Sequence, residues 1–229
     1  LVPSRATARD VVAFRPEAAP RVRVTPLGPS RLAEHPLPTV KEGPPYVLVV
    51  GTLEPRKNVD RVIEAFCRLR CAGRLPHRLI VAGGPGWKSR ETLRRLTGDR
   101  RHAAVSYEGA VNDARLAQLY AGADFLVAPS LYEGFGLQVL EALSFGIPVV
   151  TSKTSSMPEV ADGAALLVDP HSTDQIAAAM ERLGTDRNLR RTLAEESRRR
   201  ADLFSWEKAA RLTMDALEEA LCARSTEPV

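Results

Sequence analysis

From Tyr46 onward the chain alternates short apolar runs with longer amphipathic stretches. Tyr46-Val-Leu-Val-Val50 is apolar throughout and closes on Gly51, the pattern of a strand buried on both faces. Residues 59–70 place Val62, Ile63, Phe66 and Leu69 at helical spacing. The alternation continues with strand patterns at 79–82, 105–108, 125–128, 148–151 and 164–168, and helical ones at 89–96, 113–121 and 136–144. This order predicts an α/β fold, a parallel sheet with helices on both faces. Residues 173–183, 188–204 and 206–221 then predict three consecutive helices with no strand between them.

The first forty-odd residues differ. Nine prolines, from Pro3 to Pro45, interrupt them, and only Arg21-Val-Arg-Val-Thr25 alternates like a short strand before the turn Leu27-Gly28-Pro29. The segment reads as a connector.

Composition narrows the function classes. The 229 residues are 44% hydrophobic and 26% charged, ordinary for a globular chain that needs no disulfide or metal staple. Aromatics at 5% disfavour a stacking platform for single-stranded nucleic acid. The formal charge of +4 is dispersed, so no nucleic-acid partner is expected. Arg198-Arg-Arg200 is diluted by Glu195, Glu196 and Asp202 and reads as a solvated helix face. Cys67, Cys71 and Cys222 lack metal-ligand spacing, and a cytoplasmic location is expected. No apolar run approaches the roughly 18 residues of a spanning helix. The histidines His35, His77, His102 and His171 are scattered, and neither a Ser/His/Asp set nor a metal cluster is visible; no metal is expected.

Candidate chemistry lies in three loops after strands, the edge where parallel sheets bind ligands. Gly51-Thr-Leu-Glu-Pro-Arg-Lys-Asn58 carries the cation pair Arg56 and Lys57. Cations at a helix start oppose its dipole, so an anionic partner explains them better than solvent does. Gly83-Gly-Pro-Gly-Trp87 is equally well a plain turn. Pro129-Ser-Leu-Tyr-Glu-Gly-Phe-Gly136 runs straight into a helix near Leu137, whose free N–H groups offer an anion site. Glu133 and Glu141 flank that helix start, eight residues apart. Either glutamate alone is ordinarily a solvent-exposed residue. Together with the cation pair they describe a phosphate site with carboxylates for vicinal hydroxyls.

In that order, these pieces resemble the donor-binding half of a family 4 glycosyltransferase of the GT-B fold. The similarity runs from about Val24 to Trp206. It rests on Pro55-Arg-Lys-Asn58, Pro129-Ser-Leu-Tyr-Glu-Gly-Phe-Gly-Leu137, Glu141-Ala142, Gly146-Ile-Pro-Val149, Ser156-Met-Pro-Glu-Val160, Ala165-Leu-Leu-Val-Asp-Pro170 and Phe204-Ser-Trp206. The resemblance implies a Rossmann-like lobe binding a UDP-, GDP- or ADP-sugar without a cofactor. It also implies retention of anomeric configuration and independence of metal. The implied catalytic residues are Glu133, Arg56 and Lys57. The implied donor contacts are Gly51, Arg56, Lys57, Gly83, Val111, Ser130, Glu133, Gly134, Phe135, Gly136, Leu137 and Glu141. Within that set, Lys57 and Arg56 hold the pyrophosphate, Glu133 and residues 134–136 meet the sugar, Glu141 takes the ribose, and Val111 lies by the base.

Two departures from the family pattern stand out. Thr52 occupies a position where many relatives carry Arg, and Gln138 one where many carry Pro. The glycogen and starch synthases also carry a glutamine there, but their Lys-Thr-Gly-Gly segment is replaced by Lys153-Thr-Ser-Ser156. The chain is therefore nearer the mannosyl- and rhamnosyl-type transferases of surface polysaccharide assembly. The expected division is 1–24 as a linker and remnant of an acceptor lobe, 25–205 as the nucleotide-sugar domain, and 206–229 as a bracing helix and tail. Within the first of these, residues 1–20, with Ser4-Arg-Ala-Thr-Ala-Arg-Asp10, resemble the last helix of that lobe and the linker. The acceptor, a glycan or lipid-linked glycan, would be met through the missing N-terminal lobe, which could also touch a membrane, and the fragment would transfer little alone. Two alternatives are a non-catalytic nucleotide-sugar-binding subunit needing a partner chain, and a lobe of a sugar-nucleotide epimerase.

Overall fold

In the computed structural model, which describes residues 1–35, 43–98 and 104–225, the apolar runs become six parallel strands. These are β1 (Tyr46–Val50), β2 (Arg78–Ala82), β3 (Val105–Gly109), β4 (Phe125–Ala128), β5 (Val149–Ser152) and β6 (Ala165–Val168), in the order β3-β2-β1-β4-β5-β6. Lys41, His102 with Arg100 and Arg101, and the last four positions of 206–229 lie outside the described residues.

The two-sided burial of the strands follows from their pleat. Val47, Val49, Phe125 and Val127 point into a core with Val62, Ile63 and Phe66 of α2 (Val59–Cys71) and with Ile176 and Met180 of α7 (Thr173–Thr185). The alternate residues Leu48, Leu126 and Ala128 join Ala117 and Tyr120 of α4 (Asp113–Gly122), Val139, Leu140 and Leu143 of α5 (Leu137–Ser144), and Val160 of α6 (Met157–Ala161) on the other face. Successive strand side chains serve opposite faces, and in the central strands β1 and β4 both faces are apolar, so these runs lack alternation. Each fully buried Val, Leu or Phe contributes about 1.5–3 kcal/mol. Two such layers hold the sheet, and no disulfide joins Cys67, Cys71 and Cys222.

The remaining helices are α3 (Arg90–Gly98), α8 (Arg187–Ala201) and α9 (Trp206–Ser225). Segment 25–30 runs against the start of α9: Trp206 Nε1 donates to the Pro29 carbonyl at 2.8 Å. A Cβ on Gly28 would stand 2.5 Å from the Trp206 nitrogen. Among the described residues no helix is long and apolar enough to cross a membrane.

The amino-terminal segment is not irregular throughout, as its prolines suggest, but carries the helix that its resemblance to the end of the other lobe implies. Arg5–Phe14 forms a helix, α1, with Ser4 as its N-cap accepting from the Thr7 amide. The expected strand at 21–25 reduces to one bridge, Val2 to Val24, because Val2 alone lies beside it. Glu159 at the start of α6 then caps α1 from outside, its carboxylate accepting from the Arg5 amide at 2.9 and 3.0 Å and from the Ala6 amide at 3.3 Å.

Candidate functional site

The strand order reverses beside β1. The chain moves from β1 to β2 and β3 on one side, then returns to place β4 against β1's other edge, with Val47 opposite Phe125. At such a switch point the loops leaving two adjacent strands diverge and open a crevice. Here those loops are 51–58 after β1 and 129–136 after β4.

They are stitched together at their bases. The Leu131 amide donates to the Arg56 carbonyl at 2.8 Å. The Asn58 amide Nδ2, buried, donates to the carbonyls of Pro129 at 3.0 Å and Pro170 at 2.7 Å. One side chain thus ties the ends of β1, β4 and β6. Asn58 adopts a left-handed backbone (φ 61°), which asparagine tolerates better than most residues; that kink turns the three-residue Pro55–Lys57 coil into α2.

Above this base sits a compact charge cluster. Lys57 Nζ lies 2.7 Å from Glu133 Oε1, and Arg56 Nη1 lies 2.5 Å from Glu133 Oε2. Arg56 also reaches Glu54 at 2.5 Å, and Gln138 Nε2 donates to Glu133 Oε1 at 3.2 Å. The Lys57 stem crosses Gly51, where an added Cβ would come within 3.3 Å of it. Glu133 is nearly buried, and burial pushes its carboxyl upward, but the adjacent Lys57 charge and the hydrogen bonds from Lys57 and Arg56 outweigh that, holding it below the usual range. The buried Ser130 helps hold Glu133 charged, although its Oγ makes no hydrogen bond of ordinary geometry. Burial works against the Arg56 charge as well, and Glu133 and Glu54 override it, raising its pKa.

The loop bearing Glu133 is anchored on two sides. From the turn before α6, the Ser155 Oγ accepts from the Glu133 amide at 3.1 Å, and Ser156 Oγ lies 2.9 and 2.8 Å from the carbonyls of Glu133 and Phe135. From α1, Ser4 and Thr7 hydroxyls reach the Gly134 carbonyl at 2.6 and 3.0 Å, and the Tyr132 hydroxyl donates to Asp10 at 2.6 Å. The Phe135 ring turns into the core against Phe204, while Gly134 is half-buried and Gly136 buried.

Gly136 begins α5 with a positive φ of 103°, and a Cβ there would stand 2.2 Å from the Met157 methyl. No side chain caps α5; the Val139 amide donates to the Gly136 carbonyl at 2.9 Å, and the amides of Leu137 and Gln138 at the helix start are the ones placed to meet an anion. Leu137 opens that turn, 40% exposed. Glu141 lies one turn further in and accepts from the Tyr120 hydroxyl at 2.8 Å. Burial raises its pKa despite that bond, and the Lys57 charge acts on it in the opposite sense.

The structure therefore brings Gly51, Arg56, Lys57, Ser130 and Glu133 into one cluster, with Gly134, Phe135, Gly136 and Leu137 along its rim. Glu141 borders it through the field of Lys57. Gly83 and Val111 sit in the neighbouring loops. Gly83 has a packing reason of its own, since a Cβ there would fall 1.9 Å from the Gly51 carbonyl oxygen. Val111 is half-buried just before Asn112, the N-cap of α4. A cavity of about 750 Å³ opens elsewhere, between α1, α6 and the start of α9, and shares none of these residues. Among the described residues no group of three or more His, Cys, Asp or Glu could hold a metal ion. Sequence reading missed Glu54, Asn58, Tyr120 and the α1 hydroxyls. Asn58 lay inside a quoted motif, but nothing local signals a side chain that bridges three strand ends.

Comparison with known proteins matches this arrangement to one family. The model of the glycosyl transferases group 1 matches residues 31–200. The O-antigen chain mannosyltransferase B of Escherichia coli is 38% identical over 171 residues, covering 75% of this chain and 45% of that protein. The MMP alpha-(1->4)-mannosyltransferase of Mycolicibacterium hassiacum is 32% identical over 230 residues, covering 96% and 54%. The chain thus spans about half the length of these relatives. Sucrose-phosphate synthase from Thermosynechococcus elongatus superposes with a TM-score of 0.80 at 26% identity, over 97% of this chain and 58% of its own. A doubly covered parallel sheet with its charged loops at the switch point, matched by the family model over most of its length, makes this chain a member of the group 1 glycosyl transferases.

Proposed function

We propose that residues 1–229 bind the nucleotide-diphosphate sugar donor of a hexosyltransferase, in the mannosyl-type branch to which both named relatives belong. The observation that carries this reading is the pair Arg56 and Lys57, set beside Glu133 at the switch point. In this reading the donor diphosphate lies against the two cations and the uncapped start of α5. Glu133 and the backbone of Gly134 to Gly136 meet the sugar, and Glu141 takes the ribose hydroxyls.

Breaking the bond from the anomeric carbon to the diphosphate leaves negative charge on the departing group. Fixed cations aimed there stabilise the transition state more than the ground state. Arg56 and Lys57 supply that charge from side chains, which fits transfer without a divalent metal. Retention of configuration belongs to the proposal as well. The acceptor, a glycan or lipid-linked glycan, is proposed to be held by chain beyond these residues.

Titration calorimetry or ligand-observed NMR of the folded chain against UDP, GDP and ADP tests the site. Binding of at least one, weakened by both Lys57→Ala and Glu141→Ala, is expected. Binding of none of the three by a folded sample would remove the assignment, and unchanged affinity in both variants would place the ligand elsewhere.

A further inference from the structure

The charge cluster is internally neutral. Arg56 and Lys57 contribute two positive charges, and Glu54 and Glu133 two negative ones, all joined by contacts of 2.5–2.7 Å. Glu133 uses both carboxylate oxygens, one on each cation. A diphosphate approaching Arg56 and Lys57 therefore meets cations that are already neutralised, each with an N–H on Glu133 and others still free to donate. It competes with this carboxylate for both charges.

Displacement has a cost that depends on what replaces the cations. The Glu133 side chain is only 9% exposed, and a desolvated carboxylate without donors is strongly unfavourable. Gln138 offers it a single N–H group, which does not equal two charged partners. A ligand bearing hydroxyls next to its diphosphate can supply the missing donors. A diphosphate without the sugar cannot.

We propose that Glu133 is a specificity-determining counter-anion, which yields Arg56 and Lys57 to a diphosphate that brings sugar hydroxyls with it and reclaims them once the sugar has left. This rests on the donor-site reading above and adds a direction to it. The same residue that accepts the sugar's hydroxyls disfavours the nucleoside diphosphate that remains after transfer. Glu133 thereby couples sugar departure to release of the second product.

The test compares affinities of the 229-residue chain for GDP, GDP-mannose, UDP and UDP-glucose by calorimetry, in the wild type, Glu133→Gln and Glu54→Gln. Glu133→Gln is expected to bind the nucleoside diphosphate about tenfold more tightly and to gain nothing, or lose, for the corresponding nucleotide sugar. Glu54→Gln, which removes an equal charge from the cluster, is expected to shift both ligands alike. Glu133→Asp, charged but shorter, should move the nucleoside diphosphate in the same direction by a smaller factor, and stands in if the Gln variant fails to fold. Unchanged or weaker diphosphate binding in the Glu133 variants, or a gain shared equally with the nucleotide sugar, would overturn the exchange. A folded wild-type chain that binds none of the four ligands would overturn the donor-site reading itself.

Discussion

Ser4 donates from its Oγ to the carbonyl of Gly134, 2.6 Å away and 130 positions along the chain. The same hydroxyl accepts from the Thr7 amide as the N-cap of α1. One atom thus ends a helix and anchors the loop that carries Glu133. Ser4→Ala should lower stability by about 1 kcal/mol, the usual worth of such a cap. Ser4→Ala with Thr7→Val strips the Gly134 carbonyl of both hydroxyl donors. It should cost about 2–3 kcal/mol and weaken nucleotide binding, read by urea denaturation and calorimetry. A double variant as stable as the wild type would show that α1 does not hold the loop.

Asn58 separates a backbone requirement from a hydrogen-bonding one. Asn58→Gly keeps the left-handed conformation available but leaves the Pro129 and Pro170 carbonyls without the Nδ2 donor. Asn58→Ala loses both. Stability should fall by about 2 kcal/mol for Gly and further for Ala, and both should reduce nucleotide affinity. Equal stability of the Gly variant and the wild type would mean that the amide bridge contributes nothing.

Two glycines of the site should respond in opposite ways. Gly83→Ala puts a methyl 1.9 Å from the Gly51 carbonyl oxygen, whereas the nearest atom to a Cβ on Gly134 is 3.8 Å away. Backbone against backbone cannot relax cheaply, so Gly83→Ala should cost several kcal/mol and displace the cation loop. Gly134→Ala should leave the melting temperature nearly unchanged. Thermal unfolding of the two variants side by side distinguishes them.

Acid should weaken the fold through Glu133. Its carboxyl is held below the usual range in the fold, against about 4.3 in an unfolded chain. On acidification the unfolded chain takes up this proton first. The stabilisation from Glu133 is therefore full above about pH 5 and is lost as pH falls through the depressed folded value. Glu133→Gln should flatten that acid limb in urea melts between about pH 3 and pH 7.

Glu141 has the opposite shift, its pKa raised by burial. In the proposed donor site its carboxylate form accepts the ribose hydroxyls, so on that reading nucleotide affinity should begin to fall on mild acidification, above the ordinary value of about 4.3. Glu141→Gln should bind more weakly at neutral pH and lose this limb. A wild-type affinity flat across that range would detach Glu141 from the ligand.

The sheet was legible because its central strands β1 and β4 are buried on two faces and the apolar runs are closed by glycine or a polar loop. The helices that cover it show their buried stripes at regular spacing. α1 was legible only through the family resemblance and not from its own pattern, because Ala6 is its only buried residue and its anchors, Gly134 and Glu159, lie more than a hundred positions away. α6 was missed for its five-residue length. At the site, sequence placed Arg56, Lys57 and Glu133 at one sheet edge. That they neutralise one another depends on where side chains point after two loops converge, which spacing along the chain does not encode. Gln138 stood out only as a departure from family pattern, and its bond to Glu133 gives that departure a physical content.

The bridge made by Asn58, with the Leu131–Arg56 peptide bond pairing beside it, has a mechanical consequence. The two loops that frame the crevice are fastened to each other and to the end of β6, so they move as one frame. On the donor-site proposal, a different sugar or base is accommodated by side-chain rotation on this frame, and donor preference is retuned by single substitutions on the rim while the frame beneath stays as it is.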